Sequence, residues 1–201
     1  NYSLVFPSTA PATDKFLKTD SSGNLSFADA GGGGMDLISN TTISSAGYLD
    51  ITGQFSATYK DYKIIGSGLK QVSDNATWSF QLRSSSAVIT TGYYWSGDGH
   101  YSTGTAKEQG ANNDSGFRII NNTANDTHGT SFEMTLFDPY GYQVAKNYHC
   151  IASGRQQSDY GQVFLAGGFL PNDTRMEGIR FLVSSGNLTA GTIKIFGIKD
   201  S

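Results

Sequence analysis

Thr77-Trp78-Ser79-Phe80-Gln81-Leu82-Arg83 alternates polar and apolar residues without a break. Successive side chains of a strand point to opposite faces. Trp78, Phe80 and Leu82 therefore share one face, and Thr77, Ser79, Gln81 and Arg83 share the other. Gly191–Ile198 (GTIKIFGI) repeats the pattern, with Ile193, Ile195 and Gly197 opposite Lys194, Phe196 and Ile198. Its second face is also partly apolar, which predicts a strand with neighbours on both sides. Working outward, further strands are expected at Leu37–Ser44, Tyr48–Ile51, Tyr62–Gly66, Val88–Trp95, Gly116–Asn121 and Ser131–Phe137. Asn147–Ala152, Gly161–Ala166 and Met176–Ser184 complete the set, with the first stretch extending to Ser84. Turn-forming segments separate them: Gly66–Gly68, Ser73–Asn75, Ser96-Gly97-Asp98-Gly99, Asn112–Gly116, Asp138–Gly141 and Ser185–Asn187. Short strands at this spacing, with no helical periodicity between them, predict an all-β, antiparallel jelly-roll-like β-sandwich.

Composition agrees. The 201 residues include 25 Gly and are 15% charged, against a usual charged share of about 25%. Glu occurs only at positions 108, 133 and 177, so strong helix formers are scarce. A formal charge of −3 with no basic block argues against nucleic acid as a partner. No run approaches the roughly 18 apolar residues of a spanning helix, so membrane insertion is not expected. Cys150 is the single cysteine, which excludes an internal disulfide and reads as a buried structural thiol rather than a nucleophile. The chain begins at Asn1 without a signal peptide, as expected of a processed product or a piece of a longer polypeptide.

Gly31-Gly32-Gly33-Gly34 reads as a hinge, with residues 31–35 separating an assembly module (1–30) from the sandwich (36–201). In the module, Tyr2–Phe6 alternates as a strand. A hairpin is expected with Phe16 and Leu17 in one arm, Leu25 and Phe27 in the other, and Asp20–Asn24 as its turn. Thirty such residues cannot bury enough apolar area alone, so copies from other chains are expected to complete them, the alternatives being docking on their own domain or a tail ordered by packing on a larger assembly.

The module, YSLVFPSTAPATDKFLKTDSSGNLSF, resembles a segment repeated across tailed-bacteriophage fibre proteins. FSATYKDYKIIGSGLKQVSDNATWSFQLR, YYWSG and the closing IRFLVSSGNLTAGTIKIFGIK resemble a C-terminal domain of phage structural and tail-fibre proteins. These stretches cover about half the chain. The resemblance implies a virion protein, homotrimeric, and carries either a host-receptor (surface glycan) binding role on a tail fibre or a structural role as a capsid decoration or head fibre. Residues 1–30 would bind the other copies and other virion proteins.

Candidate sites follow from where aromatic rings meet turns. Aromatic faces stack on sugars while Asp and Asn side chains supply directional hydrogen bonds. Trp95, Tyr101 and Asp98, with Asn112–Asp114 nearby, form one such group; Tyr94 is expected in the core. For Trp95 and Tyr101, packing in the core or along an edge is the alternative. Tyr140, Tyr142 and Tyr148 around Asp138-Pro139 form a second group, whose alternative is a tight turn with aromatic lids. His100, His128 and His149 lack metal-ligand spacing and the Asp-rich turns match no calcium loop, so no metal or cofactor is expected. No nucleophile motif or phosphate loop is present, so enzymatic activity is not expected. Asn-x-Ser/Thr recurs, for example at Asn40, Asn75 and Asn187; a glycosylated, lectin-like secreted domain is the remaining alternative.

Overall fold

The computed structural model describes residues 7–8, 15–28, 34–125 and 128–199. The strand expected at Tyr2–Phe6 and glycines 31–33 of the hinge lie outside the described residues.

Asp20 shapes the first element. Its Oδ1 accepts the backbone N–H groups of Ser22 and Asn24, each at 2.9 Å, and Gly23 takes a φ of 84°. The turn closes a hairpin of β1 (Phe16–Thr19) and β2 (Leu25–Ala28), with Leu17 opposite Phe27 and Thr19 opposite Leu25, as the sequence predicts. Phe16, Leu17 and Phe27 are all exposed.

The main body continues as β3 (Met35–Thr42), β4 (Tyr48–Ile51), β5 (Asp61–Gln71), β6 (Ala76–Arg83), β7 (Tyr93–Tyr101) and β8 (Ala106–Asp114). It is completed by β9 (Phe117–Thr123), β10 (Thr130–Phe137), β11 (Lys146–Arg155), β12 (Gly161–Leu170), β13 (Gly178–Val183) and β14 (Leu188–Ile198). Among the described residues there is no helix, hence none long and apolar enough to cross a membrane.

One sheet runs β3-β14-β5-β10-β11-β12-β7-β8 and faces a second, β4-β13-β6-β9. Four antiparallel pairs carry the topology: β3 with β14, β4 with β13, β5 with β10, and β6 with β9. They nest as the two arms of one long hairpin, and each step along an arm changes sheet. A ribbon rolled up in this way is a jelly roll. β7–β8 and β11–β12 are insertions that extend the larger sheet beyond β10.

The inner faces supply the core. Trp78, Phe80 and Leu82 are fully buried on β6, as are Ile193 and Ile195 on β14, which pairs on both sides. Phe80 and Phe117 from the smaller sheet meet Tyr148 of the larger at centroid distances of 5.1 and 4.3 Å. Each ring withdrawn from water contributes about 1.5–3 kcal/mol, so this three-ring contact is a principal bond between the layers.

Several turn expectations fail: Gly66–Gly68 lies within β5 and Asn112–Asp114 within β8, and two more differences fall on β7. Ser96-Gly97-Asp98-Gly99 is not a turn: it lies mid-strand, paired to β12 on one side and β8 on the other. The glycines make room rather than bend the chain, because a Cβ at Gly97 would sit 2.7 Å from the Phe164 ring and 2.6 Å from the Leu165 carbonyl. The strand expected at Val88–Trp95 therefore starts later, at Tyr93, with Val88 making only an isolated bridge to Arg83. β8, absent from the sequence reading, is a polar edge strand without apolar alternation.

Candidate functional site

Three loops meet at one end of the jelly roll: residues 52–60 after β4, 138–145 after β10 and 171–177 after β12. Backbone bonds tie them together. Gln54 and Phe55 donate to the Glu177 carbonyl, Met176 donates to Pro139, and Gln143 donates to Asp173. The Tyr62 hydroxyl pins the first loop, accepting from Ser56 N–H at 2.8 Å and donating to the Ser56 carbonyl. Tyr59 lies against Gly197, where a Cβ would reach within 2.4 Å of its ring, and donates to Asp36 at 2.7 Å.

Lys146 anchors the second loop. It has no exposed surface, and its ammonium donates to the carbonyls of Gly141 and Val144. Desolvation pulls its pKa below the ordinary lysine value, while the carboxylates of Asp138 and Asp173 favour the charge. Asp138 and Gln143 hold positive φ values of 44° and 59°, so the loop is tightly folded.

These loops enclose an open pocket of about 330 Å³ lined by Ser56, Thr58, Tyr59, Lys60, Tyr140 and Tyr142, with Asp138 and Arg175 among the remaining lining residues. The Arg175 guanidinium lies 5.3 Å from the Tyr140 ring centroid and 5.9 Å from that of Tyr142. Tyr142 is 61% exposed and Tyr140 partly so. The arrangement offers tyrosine rings, hydroxyls and two exposed cations on loops tied to the sandwich, which is chemistry for holding a polar ring-shaped ligand.

The structure divides the residues singled out from sequence. Tyr140 and Tyr142 come together in this pocket, whereas Tyr148 is buried in the core and donates its hydroxyl to the Arg118 carbonyl at 2.9 Å. Trp95 is corrected from site to interior: it is 6% exposed, its Nε1–H donates to Asp114 at 2.8 Å, and Arg118 covers its ring at 4.7 Å. Neither ring face is open to a sugar. Burial opposes ionisation of Asp114, but the bonds from Trp95 and Ser115 and the charge of Arg118 hold its carboxyl below the ordinary range. Tyr94, expected inside, is on the outer face, stacked on Phe169 at 5.1 Å. Strand parity explains both, since β7 turns Tyr93 and Trp95 inward together.

Asp98 lies on the outer face of the same strand, bonded to His100 at 2.9 Å. Tyr101 ends β7 opposite Gln162, while the 138–145 loop leads into Lys146 opposite Leu170. Those partners are eight steps apart on β12, or about 26 Å, and Leu165, the partner of Asp98, is five steps or about 16 Å away, so neither Tyr101 nor Asp98 lines the pocket of Tyr140 and Tyr142.

Lys60, Tyr59, Arg175 and the anchoring Lys146 escaped the sequence reading. Only Tyr140-Gly141-Tyr142 marks the site locally; the others arrive from loops distant in the chain. Cys150 is buried on β11 and its thiol pKa is pushed up by desolvation, so it is a packing residue. Among the described residues no three His, Cys, Asp or Glu side chains are grouped to hold a metal. No protein-family model matches the chain, and no curated protein matches it significantly.

Proposed function

We propose that the chain is the receptor-binding module of a bacteriophage fibre, exposed on the virion as a homotrimer and gripping a host surface glycan with the Tyr140–Tyr142 end of its jelly roll. The observation that carries this reading is the pocket itself: two tyrosine rings beside Arg175, on loops anchored by buried Lys146 at the rim of a rigid sandwich. Such rings stack on sugar faces, and loops on a stiff scaffold keep the contact preorganised.

Two uncovered apolar surfaces support self-association. A two-stranded hairpin is marginal alone, yet β1–β2 leaves Phe16, Leu17 and Phe27 in water. On the outer face of the larger sheet, exposed Ile151 lies opposite exposed Leu165, with Val163 and Phe169 exposed along the same strand. Three weak glycan sites on one particle raise avidity without new contacts.

Sedimentation of the full chain is expected to give three times the 21.5 kDa protomer mass. On an array of bacterial polysaccharides the full chain is expected to bind, and Tyr142→Ala, with its circular dichroism unchanged, is expected to lose that binding. A trimer that binds no polysaccharide would point instead to a capsid decoration or head fibre without a receptor role.

A further inference from the structure

Arg175 and Lys60 are the two cations at this pocket, and both are exposed. Among the described residues neither side chain has a hydrogen-bonded or ion-paired partner; the Arg175 guanidinium lies over the two tyrosine rings. The remaining charged residue in the lining, Asp138, is already engaged. Its carboxylate is folded against Gly141, within 2.5 Å of where a Cβ there would stand, and the buried Lys146 ammonium attracts it together with Asp173. Among the described residues the pocket therefore presents two positive groups without a bonded anion beside two tyrosine rings. Guanidinium groups match carboxylate and phosphate oxygens in a two-pronged geometry, and one already held over aromatic rings loses little freedom on binding.

We infer that the pocket is selective for an acidic saccharide, a sugar residue bearing a carboxylate or phosphate. The anion pairs with Arg175 and Lys60 while the sugar ring lies on Tyr142. This rests on the glycan-binding reading above and specifies its ligand class. The protein's overall charge of −3 does not favour polyanions in general, so capture of one calls for a local concentration of positive groups such as this pair.

The test uses the full chain on immobilised bacterial polysaccharides: carboxylated and phosphorylated polymers, the same polymers after carboxyl reduction or dephosphorylation, neutral polymers, and polyglutamate. Binding is expected to acidic polysaccharides, falling about tenfold on removal of the anionic group and declining as salt rises. Polyglutamate, which has charge without a sugar ring, is expected not to bind. Arg175→Gln is expected to remove the preference for the acidic over the reduced polymer, and Tyr142→Ala to remove binding to both. Equal binding of acidic and neutral polymers, or a preference that survives Arg175→Gln, overturns acidic selectivity while leaving glycan binding standing. Capture of polyglutamate as strongly as of the polysaccharides also overturns it. Failure of every polysaccharide to bind overturns both readings.

Discussion

Replacing Lys146 with methionine separates the loop from the fold. The ammonium donates to two carbonyls, Gly141 and Val144, and hydrogen bonds to a charged donor contribute about 1.5–3 kcal/mol each, or about 3–6 kcal/mol together. Against this stands the desolvation of a fully buried cation, which costs several kcal/mol. The two nearly cancel, and methionine keeps the unbranched stem that fills the interior. Global stability by urea denaturation should therefore change by less than about 2 kcal/mol. The local effect is different. Gly141 and Gln143 donate their amides to Asp138 and Asp173, and once the loop loses its tether these bonds open more often. A local loss of about 2 kcal/mol corresponds to roughly 30-fold faster exchange of those two amides. Polysaccharide binding should weaken about tenfold, because the pocket is no longer preorganised. Lys146→Ala should show the same loop effect plus about 2–5 kcal/mol of global loss from the cavity. A global loss well above about 2 kcal/mol, or amides 141 and 143 that keep wild-type protection in the folded variant, contradicts this.

Trp95→Ala should cost about 3–5 kcal/mol in urea denaturation, because it empties an interior position, yet leave polysaccharide binding of the folded protein unchanged; lost binding would return the site to β7. On the outer face of the smaller sheet, Arg180 clasps Asp50 through two bonds of 2.7 Å, and Arg83 adds a third at 2.9 Å. Arg180, then Arg83, holds the Asp50 carboxyl below the ordinary value of 3.8, so its contribution is intact above that pH and fades as pH falls through the lowered value. Asp50→Asn should cost about 1 kcal/mol at neutral pH, after allowance for solvent screening, with the gap in melting temperature narrowing as pH falls below about 4; a gap that does not narrow with falling pH contradicts this. Cys150 should resist a thiol reagent at pH 8 until the chain unfolds, and rapid stoichiometric labelling of the native protein would show that the thiol is not packed.

The sandwich could be read from sequence where a strand buries one face, because period-two alternation at Trp78, Phe80 and Leu82 is a direct consequence of that burial. It failed where side chains carry no such signal. Gly97 and Gly99 look like turn residues, but their missing Cβ atoms accommodate Phe164 from the next strand, information that lies some 65 positions away. β8 is an edge, and edges are kept polar. The site was half visible for a similar reason. Tyr140 and Tyr142 announce themselves in one loop, whereas Lys60 and Arg175 reach the pocket only after the ribbon has rolled and brought three loops to one end. Trp95 misled because an aromatic beside a supposed turn reads as surface; once the turn proves to be strand, parity turns it inward.

Sugar contact at the Tyr140–Tyr142 end of the jelly roll is the central element of the proposed function. Hydroxyl-radical footprinting of the full chain, with and without the tightest-binding polysaccharide of the array, tests that contact directly. Tyr140 and Tyr142 are expected to become protected while Tyr101 and Tyr94 react as before. Protection at Tyr101 and His100 with Tyr142 still reactive would contradict it.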